Sequence, residues 1–212
     1  TAEKDTQRPQ MSVARMVTSL GVVTLAAALI LSLTYIVTAG PIAESEVNGK
    51  IEALKAVAPE FDNNPVADTV SVVVESGQPP VLLYPARKDG ELVGAAVETY
   101  SLNGFSGLIK VMVGFDEGGN IVDYRVLQHA ETPGLGAKME EWFRSPEGSR
   151  SILGVSPDSV HLYVSKDPDG KVDGITAATI SSRAFLESVR RAFDAYKQYK
   201  NECLNKENPS QS

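Results

Sequence analysis

Thr176, Thr179, Ser181 and Ser182 fall within seven consecutive positions of the stretch "VDGITAATISSRAF". They follow Gly174 and precede a long amphipathic pattern, so they sit where a helix begins. Serine and threonine oxygens accept the backbone N–H groups that a helix start leaves without partners, which makes capping the plainer chemistry for them. One such residue suffices for a cap. The four here surround Ala177 and Ala178, which are small enough to let a bulky group approach the backbone. Free N–H groups and the positive end of a helix dipole also favour a phosphate. A threonine there could bind a phosphate or carry one covalently, and residue chemistry alone leaves capping and phosphate chemistry both open. Arg183, one turn further on, could reach such a phosphate or form an exposed salt bridge.

Little else in the chain proposes chemistry. His129 and His161 are the only histidines and Cys203 the only cysteine, so neither a histidine-based metal cluster nor an internal disulfide is expected. We find no Ser/His/Asp arrangement, no paired-carboxylate signature and no internal repeat, and no independent catalytic site is expected. The formal net charge is −7, and of 27 acidic residues only Glu3 and Asp5 precede residue 40. An acidic domain is unsuited to nucleic acid or to an anionic lipid surface, both of which require a basic face.

The elements around the hydroxyls follow from hydrophobic periodicity. No charged residue occurs from Met16 to Ala43, longer than the roughly 20 apolar residues that cross a bilayer core. This predicts a transmembrane helix over 16–39 after a short cytoplasmic segment, 1–15; a signal peptide cut after Ala39 or Ala43 is the alternative. Lys4, Arg8 and Arg15 before the run, against Lys50 and Lys55 after it, favour a cytoplasmic N-terminus and a soluble domain outside. Gly21 and Ala26 to Ala28 give the span a small-residue face suited to packing among other helices.

Residues 40–68 read as a juxtamembrane helix and linker, with Ile51, Leu54 and Ala58 at helical spacing before Pro59. Strands are expected in "TVSVVVE", in "VLLYPARKDGELVGAAVETY" with a turn at 88–90, and in a hairpin turning at "DEGGN". In that hairpin Ile109, Val111, Val113 and Phe115 share a face, as do Val122, Tyr124 and Val126. "ETPGLG" predicts a tight turn before a short helix containing Trp142. "VHLYVSK" alternates with Val160, Leu162 and Val164 inward. A final helix puts Phe185, Val189, Ala192, Phe193 and Tyr196 on one stripe, followed by a polar, unstructured tail over 201–212. The expected fold is α+β, a largely antiparallel sheet flanked by helices over 69–200, with one N-terminal transmembrane helix.

"DGITAATISS" resembles the flavinylation motif of the FMN-binding domains found in the Rnf and Na+-translocating NADH:quinone oxidoreductase complexes. There an aspartate precedes a Ser/Thr, Gly, Ala, Thr core and a further Ser/Thr; the matching positions are Asp173, Thr176, Ala177, Ala178, Thr179 and Ser181. Ala177 departs from the pattern, in which glycine is commoner. "HAETPGLGAK" resembles a second loop of the same family, and with the preceding hairpin the resemblance covers about Gly90 to Ser188. The compact chain is most similar to the G subunit of Rnf; the generally longer C subunit of the quinone reductase, or a stand-alone anchored FMN-binding protein, is the alternative.

The resemblance implies that a flavin transferase, using FAD as donor, esterifies Thr179 with the phosphate of FMN. Asp173 and Ser181 then belong to the sequence read by the transferase, while Thr176 and the backbone at Ala178 position the phosphate. Glu131, Thr132, Gly134, Leu135 and Gly136 would line the flavin. The implied function is electron relay inside a membrane complex that couples ferredoxin:NAD+ electron transfer to Na+ or H+ translocation, with the other proteins of the complex as partners. The implied location is the inner membrane, with the domain periplasmic or extracellular.

Overall fold

A computed structural model describes residues 13–207, which fall into two compact units divided between Asn48 and Gly49. The first unit is helical. Helix α1 is assigned over Val13–Val57, and its stretch Val13–Pro41 is long and apolar enough to cross a membrane. At about 1.5 Å per residue, its 29 residues exceed the roughly 30 Å of a hydrocarbon core. The threonines along it donate back to the preceding turn, Thr24 to Leu20 O at 2.9 Å and Thr34 to Ile30 O at 2.8 Å. No hydroxyl of this pair is left to face lipid unpaired. Helix continues through Pro41, beyond the expected end of the span.

The second unit is built on a five-stranded antiparallel meander in the order β1 (Val70–Val72), β2 (Val81–Lys88), β3 (Glu91–Gly104), β4 (Gly107–Asp116), β5 (Ile121–Gln128). Successive side chains of a strand point to opposite faces, and both faces here are covered. Ala95 and Val97 of β3 join Ile109, Val111, Val113 and Phe115 of β4 in the main core beneath α3 (Thr179–Glu207). Ala96, Met112 and Tyr84 point the other way and pack on Ala53, Leu54 and Val57 from the last turns of α1. The helix stripe Phe185, Val189, Ala192, Phe193 and Tyr196 is buried against the sheet. Phe185 stacks on Phe143 at 4.6 Å and meets Tyr124 edge-on at 4.9 Å. This aromatic group ties α3 to β5 and to α2 (Met139–Trp142), which follows a 3-10 turn at Gly136–Lys138.

The structure departs from the sequence expectations at four places. Val122 is 39% exposed rather than inward, because Phe115 pairs with Ile121 while Gly114 pairs with Asp123. That bulge leaves Val122 without a partner and turns it out. "VHLYVSK" buries Leu162 and Val164 yet forms no ladder; only an isolated parallel bridge joins Val164 to Val172. Val160 is only half-buried. The polar stretch Asn201–Glu207 continues α3 instead of forming an unstructured tail. Residues 1–12 and 208–212, expected to be a cytoplasmic segment and a tail, lie outside the described residues.

Close contact of the α1 terminus with β4 depends on one missing side chain. A Cβ on Gly114 would overlap the carbonyl of Val57. Gly114→Ala is expected to push these last turns off the sheet and to lower stability by about 1–3 kcal/mol, an overpacking cost read from thermal unfolding of the detergent-purified protein.

Candidate functional site

The four hydroxyls at the start of α3 divide into two structural and two unengaged groups. Ser182 is fully buried; its Oγ accepts the N–H of Ile175 at 2.8 Å and donates to Ala178 O at 2.9 Å, which pins the loop to the helix from inside. Ser181 is also buried and donates to Glu131 Oε2 at 2.6 Å. Thr176 is exposed and Thr179 half-buried, and neither hydroxyl makes a side-chain hydrogen bond among the described residues. The residue preceding the helix is Ala178, which has no side-chain oxygen to cap it. The first N–H that closes a helical bond is that of Ser182, to Ala178 O at 3.0 Å. The N–H groups of Thr179, Ile180 and Ser181 find no protein acceptor among the described residues.

Ala177 shows how the loop attains this shape. Its φ is +61°, the left-handed region that costs a residue with a Cβ about 1–2 kcal/mol. This explains in physical terms why glycine suits the position. The loop nevertheless keeps its form with alanine, because Ser182 binds on both sides of it.

Glu131 assembles the surroundings. It is buried, and its two oxygens reach segments far apart in the chain: Ser106 N–H donates to Oε1 at 2.9 Å, Ser181 Oγ to Oε2 at 2.6 Å. Its own N–H donates to His129 Nδ1 at 3.1 Å, and His129 Nε2 lies 3.3 Å from Glu140. Gly136 is required by this packing, since a Cβ there would stand 2.5 Å from Ser181 Oγ and 2.6 Å from Glu131 Oε2. The rest of the loop faces outward. Thr132, Gly134 and Leu135 are exposed, and the Thr132 carbonyl closes the turn by accepting Leu135 N–H at 3.1 Å.

Asp173 holds the loop before the helix. Its Oδ2 accepts Ser149 N–H at 3.0 Å, its N–H donates to Ser149 O at 2.8 Å, and Trp142 Nε1 donates to its carbonyl at 2.7 Å. Arg183 turns away from the helix start. It pairs with Asp167, with Nε 3.0 Å from both carboxylate oxygens, and the guanidinium holds that carboxyl below its ordinary range. The exposed salt bridge is thus the arrangement it adopts.

The structure therefore brings Thr179, Thr176, Ser181, Ala178, Glu131 and the ETPGLG loop to one place, but separates them by role. Thr176, Thr179, Thr132, Gly134 and Leu135 present a surface; Glu131, Gly136, Ser181 and Ser182 lie beneath it. A phosphate fits this donor set, which pairs unengaged hydroxyls with unsatisfied N–H groups at the positive end of a 29-residue helix. The β3–β4 tip, Gly104 to Gly107, joins the site without having been expected there. Its only sequence signal is the pair of glycines in "NGFSG".

Two substitutions test how the loop is held. Ala177→Gly is expected to stabilise the protein by about 1 kcal/mol by relieving the left-handed alanine, a rise in Tm of roughly 2–4 °C for a chain of this size. Ser182→Ala is expected to destabilise it by about 1–3 kcal/mol by stranding the buried N–H of Ile175. Thermal unfolding reads both.

Comparison with known proteins supplies a family. Residues 104–194 match the family of FMN-binding domains, from the hairpin tip to well inside α3. The G subunit of an ion-translocating oxidoreductase complex from Vibrio cholerae is 31% identical over 188 residues, covering 85% of this chain and 88% of the relative. A protein of the same name from Erwinia tasmaniensis is 38% identical over 155 residues, covering 70% and 72%. Another, from Stutzerimonas stutzeri, is 32% identical over 183 residues, covering 83% and 77%. With its apolar N-terminal helix, its antiparallel sheet and this likeness over most of its length, the chain belongs to the family of G subunits of the ion-translocating oxidoreductase complexes.

Proposed function

We propose that the chain is a membrane-anchored electron-relay subunit of an Rnf complex, with FMN joined through its phosphate to Thr179 Oγ1. The observation that carries the attachment is the unengaged Thr179 hydroxyl beside three N–H groups without acceptors among the described residues, while both neighbouring serines are consumed internally. In the modification, the Thr179 oxygen forms a P–O bond as the pyrophosphate of an FAD donor breaks. AMP leaves and the hydroxyl proton is released. A flavin transferase is the partner for this step, reading the sequence to which Asp173 and Ser181 belong.

The flavin, when bound, supplies reversible electron storage; the protein supplies tether, orientation and surroundings. Helix N–H groups and Thr176 hold the phosphate, Ala178 gives it room, and Thr132, Gly134 and Leu135 line one side of the cofactor. Glu131 and Gly136 support that lining from below. This part of the reading differs from the sequence expectation that all five loop residues touch the flavin, because Glu131 and Gly136 are buried.

The names of the relatives favour a G subunit over the C subunit of the quinone reductase and over a stand-alone flavoprotein. On this reading the partners are the other proteins of the complex. The inner membrane is the location, with the N-terminus cytoplasmic and the domain periplasmic or extracellular, supported by Arg15 and the basic residues before it.

Intact mass and peptide mapping test the attachment. Co-expression with a flavin transferase is expected to add FMN less one water at Thr179, and Thr179→Ala to abolish the gain while the complex still assembles without relaying electrons. An unmodified Thr179, with transferase active and the protein exported, would return the cluster to a purely structural role. Loss of assembly in Thr179→Ala would favour an assembly role over a relay.

A further inference from the structure

The tip of the β3–β4 hairpin carries an aromatic ring that the core does not use. Phe105 is 70% exposed and forms a two-residue turn with Ser106 between the paired glycines Gly104 and Gly107. The turn is held firmly. Ser106 N–H donates to Glu131 Oε1 at 2.9 Å, while Ser101 Oγ and Asn103 Nδ2 donate to Glu187 Oε2 at 2.9 and 2.8 Å. A Cβ on Gly104 would come within 2.7 Å of Glu131 Oε1, so the tip backbone rests directly against that carboxylate.

The other oxygen of the same carboxylate accepts Ser181 Oγ at 2.6 Å, two residues beyond Thr179. A single carboxylate thus separates the phenylalanine tip from the start of α3. Leu135 and Ile180, 40% and 49% exposed, adjoin Gly136 and Ser181, which meet that carboxylate too. The backbone segments that carry these three exposed apolar residues therefore meet at one buried acid, beside the proposed attachment residue. Single exposed apolar residues are ordinary, but apolar residues on segments joined at one buried group offer a seat to a ligand.

We propose that Phe105 is the stacking surface for the isoalloxazine ring of the cofactor, with Glu131 as the positioning residue that fixes the tip. This rests on Thr179 as the attachment site. A flat aromatic ring at the far end of a phosphate tether needs an aromatic face on fixed backbone, and aromatic pairs prefer such stacked or edge contacts. Leu102 provides the contrast. It is 64% exposed on the same hairpin, but it lies between Ser101 and Asn103, whose side chains both reach Glu187 on α3, and not next to the residue that donates to Glu131.

The test uses full-length protein, flavinylated by a transferase and purified in detergent, with intact mass and flavin fluorescence as the readouts. Tryptophan in contact with a flavin quenches its emission. Phe105→Trp is expected to keep the mass gain at Thr179 and lower flavin emission several-fold, whereas Leu102→Trp leaves emission close to wild type. Phe105→Ala is expected to keep the mass gain and make the flavin more accessible to iodide. Equal emission in the two tryptophan variants, with flavin present, would overturn the stacking role while leaving the attachment intact. No mass gain in the wild-type protein would overturn both.

Discussion

A buried carboxyl group can persist only if its oxygens are met by donors, and Glu131 meets this condition with groups that are distant in the chain. Ser106 supplies a backbone N–H and Ser181 a hydroxyl, one to each oxygen. Leaving either oxygen unpaired in a low-dielectric interior would cost several times what a surface contact gains. The hairpin tip, the ETPGLG loop and the helix start are therefore bound together as one unit rather than three flexible loops. Gly104 and Gly136 follow from the same condition, since the carboxylate occupies the space where their side chains would be.

The helix start itself forgoes stability that an ordinary cap would provide. A serine or aspartate at position 178 would be worth about 0.5–2 kcal/mol, and glycine at 177 would relieve a left-handed backbone. Instead Ala178 leaves three N–H groups without acceptors among the described residues, and Ala177 holds a φ of +61°. Ser182 compensates from inside, where its hydroxyl serves Ile175 and Ala178 without covering the open groups. Local strain and donors without acceptors among the described residues, with compensation behind them, support the proposal of a ligand here.

How much of this is legible in the sequence depends on the range of the interaction. The β4 face and the α3 stripe are readable because burial recurs at periods of two and 3.6 residues along one segment. Thr179 and the ETPGLG loop are proposed from local motifs, whose residues are contiguous in the chain. Val122 defeats the pattern because a bulge inserts one residue, and a period-2 alternation cannot reveal where its phase slips. "VHLYVSK" buries Leu162 and Val164 as its alternation requires, but alternation reports burial and does not guarantee a neighbouring strand. The helix runs on to Glu207 because Glu, Leu and Lys favour helix and Cys203 still packs against the core. Glu131 reads as a lining residue for want of any local sign that its partners lie 25 and 50 positions away. Phe105 stays hidden in the sequence for the same reason.

The proposed anchoring of FMN through its phosphate would change what the rest of the site must do. Cavities of about 450 and 400 Å³ flank Arg190, and Thr179 lines neither of them. The face around Thr179 is open: Thr132, Gly134, Leu135 and Ile180 all reach solvent. A non-covalent flavin would need deep burial to be retained, whereas a tether replaces that affinity by holding the ring at high local concentration over its seat. A shallow seat is then an advantage, because a relay must expose one cofactor to both a donor and an acceptor. On the proposed attachment, the arrangement built on Glu131 would let so exposed a ring keep a fixed orientation.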